Sequence, residues 1–173
     1  ASVAVGMELN IPFDIIKAAL ETLEGVRRRL EIKGVAKGVT VIDDYAHHPT
    51  EIKTTLQSVR TSWPDQRIVG VFQPHRYTRT QALFGEFTRA FYQTDQLILV
   101  PIYSAGEEKI AGVSHTLLCE GIQAHGHKNV TCTESFEEAL ALLGNDVREG
   151  DIVMTMGAGD ILKLGETLLE QLT

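Results

Sequence analysis

The chain has 173 residues, 43% of them hydrophobic and 23% charged, which is enough for one globular domain of ordinary size with a flanking piece. A net charge of −7 speaks against nonspecific nucleic-acid binding, which needs a basic face, but leaves room for an anionic small ligand held by a few placed arginines. Two cysteines, Cys119 and Cys132, with no C-x-x-C spacing favour a reducing, cytoplasmic setting; no apolar run approaches the ~18 residues of a membrane span, and no signal-peptide layout opens the chain.

The chain starts without Met on the apolar run Ala1–Val5, as expected of a cut through a larger protein. Residues 1–33 read as the tail of another unit, poorly anchored by themselves. Ala1–Met7 suits the end of a helix. Pro12 suits the first turn of a second helix, in which Ile15, Ile16, Ala19, Leu20 and Leu23 recur at helical spacing until Gly25. Arg27-Arg28-Arg29-Leu30-Glu31 reads as extended, its arginines as readily a solvated charge run as a functional cluster, and Gly34 and Gly38 bracket a linker. Beyond Gly38, short apolar runs alternate with amphipathic segments. Strands are predicted at Val39–Ile42, Arg67–Gln73, Gln96–Ile102, Asn129–Thr133 and Asp151–Met156. Helices are predicted at Pro49–Ser62, Thr80–Gln93, Ser114–His125, Phe136–Leu143 and Asp160–Leu172. Five β-then-α units with strands apolar on both faces predict an α/β fold, a doubly wound, mostly parallel sheet with helices on both faces. The long loop Tyr103–Val113, with Gly106 and Gly112, reads as mobile.

In such a sheet the carboxyl ends of the parallel strands lie along one edge, where ligands bind. The polar clusters fall there: Asp43, Asp44, Tyr45, His47 and His48 after the first strand, Gln73–Thr80 after the second, Tyr103 and Ser104 after the third, and Gly157-Ala158-Gly159-Asp160 after the last. The last is either a tight turn or an anion-binding turn in which backbone N–H groups of Gly157, Ala158 and Gly159 face a ligand. It is not a P-loop, because no G-x-x-x-x-G-K-[S/T] occurs in the chain. Arg76 and Arg79, three apart at a helix start, fall on one side, and their planar forks suit a carboxylate or phosphate. Asp43 and Asp44 read as cap carboxylates or as ligands of a metal or a sugar hydroxyl. His47-His48 lacks a third ligand at helical spacing, so no zinc site is expected. His115, His125 and His127 are expected at the surface and Cys119 in the core.

Asp43-Asp44-Tyr45-Ala46-His47-His48-Pro49-Thr50-Glu51-Ile52, followed by Phe72-Gln73-Pro74-His75-Arg76-Tyr77-Thr78-Arg79-Thr80, resembles the C-terminal domain of the Mur ligases. Gly157-Ala158-Gly159-Asp160 is similar to that domain's last strand-to-helix turn. Residues 1–33, with Gly25-Val26-Arg27-Arg28-Arg29-Leu30-Glu31, resemble the end of the family's central ATPase domain plus linker, and residues 34–173 its C-terminal domain. The second motif is most similar to the members that join L-alanine to UDP-N-acetylmuramate in peptidoglycan precursor synthesis. The resemblance implies an ATP-dependent amide-forming ligase working through an acyl phosphate. By it, Arg29, Asp44 and His47 contact the nucleotide, with Asp44 a hinge aspartate near the ribose and His47 beside the adenine. Tyr45, His75, Arg76 and Arg79 surround the alanine and its carboxylate. The family's phosphate-binding loop and Mg2+ ligands belong to its central domain and do not occur in this sequence, so the chain alone is expected to catalyse nothing. Two alternatives stand beside this reading. One is the murein peptide ligase, which attaches a whole tripeptide to the same sugar acid and is expected to lack Pro74-His75-Arg76-Tyr77. The other is a non-catalytic anion- or nucleotide-binding module.

Overall fold

The computed structural model describes residues 1–22 and 25–173. Two short helices, α1 (Ser2–Glu8) and α2 (Phe13–Glu21), come first and pack on one another through Gly6 and Ile16. Pro12 is the N-cap of α2, just ahead of the first turn expected for it, and Leu23 lies outside the described residues. Val5, Leu9, Phe13 and Ile15 of this helical pair are all more than half exposed.

The sheet has six strands, one more than expected. Strand β1 (Glu31–Ala36) turns through Lys37-Gly38 into β2 (Val39–Asp44) and pairs with it antiparallel. Gly34–Gly38 is therefore part of a hairpin and not a linker, and Arg27–Leu30 form turns and bends rather than extended chain. The cause is the two-residue turn. Lys37 and Gly38 both have positive φ, 47° and 75°, as in a type I′ turn, whose twist matches that of the flanking strands.

After β2 come α3 (Pro49–Ser62), β3 (Ile68–Phe72), α4 (Tyr77–Ala82), α5 (Phe84–Phe87), β4 (Gln96–Leu99), α6 (His115–Ala124), β5 (Val130–Cys132), α7 (Phe136–Asp146), β6 (Ile152–Met156) and α8 (Leu162–Leu172). The spatial order is β1-β2-β6-β3-β4-β5, and all neighbours from β2 to β5 are parallel. Alternate strand residues serve opposite layers. Ile42, Phe72, Leu99 and Met154 form one core with Ile52 and Leu56 of α3, Phe87 of α5 and Leu118 of α6. Val41, Val71, Ile98 and Val153 form the other with Leu143 of α7 and Leu164 and Leu168 of α8. Each such fully buried side chain is worth about 1.5–3 kcal/mol, so the two apolar layers, not the surface ion pairs, hold the sheet. The doubly wound α/β class is thus observed. Among the described residues no helix is long and apolar enough to cross a membrane.

The helix expected over Thr80–Gln93 is instead two short pieces, α4 and α5, starting earlier at Tyr77 and breaking at Leu83. Past α5 the bonds Arg89 N to Glu86 O, Ala90 N to Phe87 O and Thr94 N to Phe91 O tighten to i→i+3 spacing. That winding still buries Phe87, Ala90 and Phe91, so the apolar anchors are met without a regular helix.

Cys119 is buried and His125 exposed, as expected, but His115 and His127 are buried at 8% and 7% exposure. Each imidazole answers a backbone carbonyl. His115 Nε2 donates to Thr133 O at 3.1 Å, and His127 Nε2 donates to Thr94 O at 3.1 Å while its Nδ1 accepts from Asn129 N–H at 3.4 Å. That pair of roles fits only the neutral ring. Burial pushes the His127 pKa below its ordinary 6.5, against the opposing pull of the Thr94 and Phe91 carbonyls. As pH falls through 6.5 the unfolded chain takes up this proton before the folded one, so stability is full above that pH and declines below it. Thermal melts between pH 8 and 5.5 are expected to fall more steeply for wild type than for His127→Asn; parallel slopes would assign the loss to other groups.

Candidate functional site

The carboxyl end of β2 is held by its two aspartates, both buried. Asp43 Oδ1 accepts from Thr155 Oγ1 at 2.7 Å, and its Oδ2 takes Arg28 Nε at 2.8 Å. The Arg28 guanidinium also donates to the carbonyls of Gly157 (2.6 Å) and Gly159 (3.1 Å) and lies 4.9 Å over the Tyr45 ring. Asp44 Oδ2 accepts from Leu30 N–H and its Oδ1 from Ala46 N–H, both at 2.8 Å. Asp44 therefore ties the segment before β1 to the loop after β2; its carboxylate is buried and partnered at both oxygens.

His48, the N-cap of α3, accepts Thr50 N–H, and Glu51 accepts the N–H groups of His47 and His48, a capping box with Pro49 in the first turn. Burial alone would raise the Glu51 carboxyl, but those two N–H groups and the charges of His47 and Arg29 outweigh it and hold it down. The box fixes His47, whose Nδ1–H donates to Tyr45 O at 2.9 Å. From there a row of rings crosses the sheet edge. Tyr45 meets His47 edge-on at 5.3 Å, His47 meets His75 at 5.9 Å, and His75 stacks on Tyr103 at 5.6 Å and 13°. The stack is set by backbone: Arg76 N–H reaches Tyr103 O and Tyr103 N–H reaches Pro74 O, each at 2.8 Å, bridging His75 to Tyr103. The loop Tyr103–Val113, expected to be mobile, is thus anchored at its start.

Arg79 Nη1 donates to His75 Nδ1 at 3.1 Å, which leaves the His75 proton on Nε2, facing away from that arginine. Burial, then the charges of Arg79, His47 and Arg76, hold the His75 pKa below its ordinary value, with Glu107 pulling the other way. His75 is accordingly a neutral hydrogen-bond donor near neutral pH. Arg76 is exposed, with Glu107 3.6 Å from its Nη1. The structure so brings Tyr45, His47, His75, Arg76 and Arg79 to one open ledge. Arg29 is exposed near Glu51, beside the same edge.

The Gly157-Ala158-Gly159 turn, open from the sequence to a tight-turn or an anion-binding reading, closes the ledge from the side and presents carbonyls to a cation. Its Gly157 and Gly159 carbonyls face Arg28, and Gly157 N–H is taken by Asp44 O at 3.1 Å. A Cβ on Gly159 would strike Gln73 Oε1 and stand 2.7 Å from Tyr103 Cγ, so glycine here serves close approach. Arg28 and Glu107 are the ledge residues that sequence reasoning did not place at this edge; Tyr103 was placed there but given no role. Tyr103 carried a signal, its position at a strand's carboxyl end; Arg28 stood between two identical neighbours and carried none.

The family model described as "Mur ligase, glutamate ligase domain" matches residues 28–159, well over half of the chain. The UDP-N-acetylmuramate–L-alanine ligase of Desulforapulum autotrophicum is 60% identical over 170 residues, covering 98% of this chain and 37% of that protein. The same-named protein of Desulfatibacillum aliphaticivorans is 57% identical over 169 residues, again 98% and 37%. Among solved structures, the UDP-N-acetylmuramate-alanine ligase MurC of Thermotoga maritima superposes with a TM-score of 0.80 at 27% identity, covering 98% of this chain and 35% of that one. A murein peptide ligase from Psychrobacter arcticus superposes at 0.70 and 22% identity, a likeness of fold alone. The chain spans somewhat over a third of the length of the relatives it matches. With its sheet, its carboxyl-edge ledge and the span of that match taken together, the chain belongs to the Mur ligase family.

Proposed function

We propose that this chain is the amino-acid-receiving part of an ATP-dependent ligase that joins L-alanine to UDP-N-acetylmuramate. The observation that carries the reading is the meeting of Arg76, Arg79, His75 and Tyr45 on one ledge, in a chain 60% identical to a protein named for that reaction. Residues 34–173, extended to Glu31 because β1 pairs with β2, are assigned to the C-terminal domain. Residues 1–22, with their outward apolar side chains, belong to the core of a preceding ATPase domain, and the turns around Arg28 are the pivot between them. A nucleotide-dependent step on a UDP-sugar places the ligase in the cytoplasm.

A carboxylate resists attack by an amine until one of its oxygens becomes a leaving group. ATP phosphorylates the muramoyl carboxylate, the alanine nitrogen attacks the acyl carbon, the C–N bond forms and phosphate departs. This chain binds and orients the amine. Arg76, supported by Arg79, takes the alanine carboxylate through its planar fork. Neutral His75 offers its Nε2–H without repelling the ammonium form of the incoming amino acid, and Tyr45 and Tyr103 give a small aromatic wall for a methyl group. His47 and Arg29 face the nucleotide, with Asp44 setting the hinge rather than holding the ribose, since its oxygens already have protein donors. An open ledge of this kind acts when a second wall closes over it and excludes the water that would hydrolyse an acyl phosphate. Among the described residues no group of three His, Cys, Asp or Glu could hold a metal; the magnesium ligands are assigned to the preceding ATPase domain, and none of the steps assigned to this chain runs through the ion.

The full-length ligase, given ATP, magnesium and UDP-N-acetylmuramate, is expected to release phosphate in response to L-alanine and not to the L-alanyl-γ-D-glutamyl-diaminopimelate tripeptide. Preference for the tripeptide would move the chain to the murein peptide ligases. Residues 1–173 alone are expected to release none with either acceptor.

A further inference from the structure

We propose that Glu107 is a positioning residue for the amino-acid carboxylate site, holding the start of α4, and with it Arg76, from the neighbouring loop. The inference rests on the reading of Arg76 as a ligand of the substrate carboxylate. Helix α4 has no side-chain cap of its own, and Arg76, the residue before it, has a φ of +73°. A non-glycine residue holds that conformation only where its surroundings over-determine it. Part of the restraint is the bridge to Tyr103 described above. The rest comes from four residues further along the same loop. Ser104–Glu107 is a tight turn, closed by Glu107 N–H to Ser104 O at 3.0 Å and with positive φ at both Ala105 (50°) and Gly106 (85°).

That turn swings the Glu107 side chain back over α4. Its Oε2 accepts Thr78 N–H at 3.1 Å and its Oε1 accepts Thr78 Oγ1 at 2.7 Å, the capping that position 76 does not supply. The same carboxylate lies 3.6 Å from Arg76 Nη1. The Arg76 side chain is 48% exposed and that of Glu107 19%, so the ion pair is loose and the cap is the firmer contact. Arg76 has five N–H donors and Glu107 stands near one nitrogen, which leaves the remaining fork for a second carboxylate. Glu107 thus works by fixing where the guanidinium stands, not by touching the substrate.

The test is steady-state kinetics of the full-length ligase. Glu107→Ala is expected to raise KM for L-alanine about tenfold, the scale of one lost charge-assisted hydrogen bond, with KM for ATP and kcat within about twofold of wild type. Glu107→Gln keeps an acceptor for Thr78 and is expected to rescue to within about threefold. Thr78→Val, an exposed change that leaves folding intact, is expected to raise the same KM about threefold and to be non-additive with Glu107→Ala. An alanine KM unchanged in both Glu107→Ala and Thr78→Val overturns the proposal, as does an equal loss across all three substrates. Arg76→Ala separates this from failure of the underlying reading: if it too leaves the alanine KM unchanged, the carboxylate assignment falls, and if it alone raises that KM, only the role of Glu107 falls.

Discussion

Arg76→Ala is expected to lower kcat/KM for L-alanine by about thirtyfold to a few thousandfold in the full-length ligase while leaving the fold intact. Truncating one partner of a desolvated, hydrogen-bonded charge pair costs about 2–5 kcal/mol, and each 1.4 kcal/mol is a factor of ten. The folded chain loses little. The Arg76 side chain is half in solvent and its one ion pair, to Glu107, spans 3.6 Å, so the change in unfolding free energy stays below about 1 kcal/mol. Alanine inherits the same left-handed backbone as arginine, so no strain is relieved. Arg76→Lys restores the charge without the fork and is expected to fall between the two. Arg79→Ala is a less clean probe, because Arg79 also holds the His75 ring and carbonyl. An Arg76→Ala enzyme with wild-type alanine kinetics would remove the carboxylate from this ledge.

Arg28→Ala is expected to carry the largest stability loss, about 3 kcal/mol or more, seen as a lower denaturant midpoint. Asp43 would keep its charge with only 1% of its side chain exposed, its Oδ2 without a partner, and two carbonyls of the glycine turn would lose their donor. Breaking one side of such a pair is far costlier than the pair's net worth. Against total stabilities of about 5–15 kcal/mol that is a large fraction. Arg28→Lys offers one charged nitrogen for three acceptors and is expected to recover part of the loss. Adding Asp43→Asn to Arg28→Ala removes the stranded charge, so the double variant is expected to lose less than the sum of the singles. Strict additivity would mean that Arg28 and Asp43 do not act as a unit.

The fold was legible because its strands are apolar on both faces. Runs such as Ile68–Phe72 and Ile152–Met156 feed two helical layers at once, and only a covered parallel sheet requires that. The hairpin of β1 was not, because Lys37-Gly38 is a less marked I′ pair than Asn-Gly or Asp-Gly and Gly34 resembles a spacer. The site was legible where strand ends concentrate chemistry, at Tyr45, His47 and His75–Arg79. It was not where the same residue type has opposite fates: Arg28 is partly buried and makes the clasp while Arg27 and Arg29 are exposed, and His127 is enclosed while His125 is not. Those differences arise from packing partners 15 to 131 residues away, beyond the reach of local periodicity. The turn at Gly157 shows a related limit, since glycine spacing alone does not say whether N–H groups or carbonyls will face the site.

The place of β6 has a consequence for how the molecule is made. β2 and β3 do not pair with each other; each pairs with β6, which lies between them and contains residues 152–156. On the ribosome the hairpin and the three-strand half therefore emerge with unfilled inner edges, and the sheet closes only once residues 152–156 have been released. A nascent chain stalled before Ile152 exposes two hydrogen-bonding edges at once, a state for chaperones to guard, and the ledge is assembled only after β6 has taken its place.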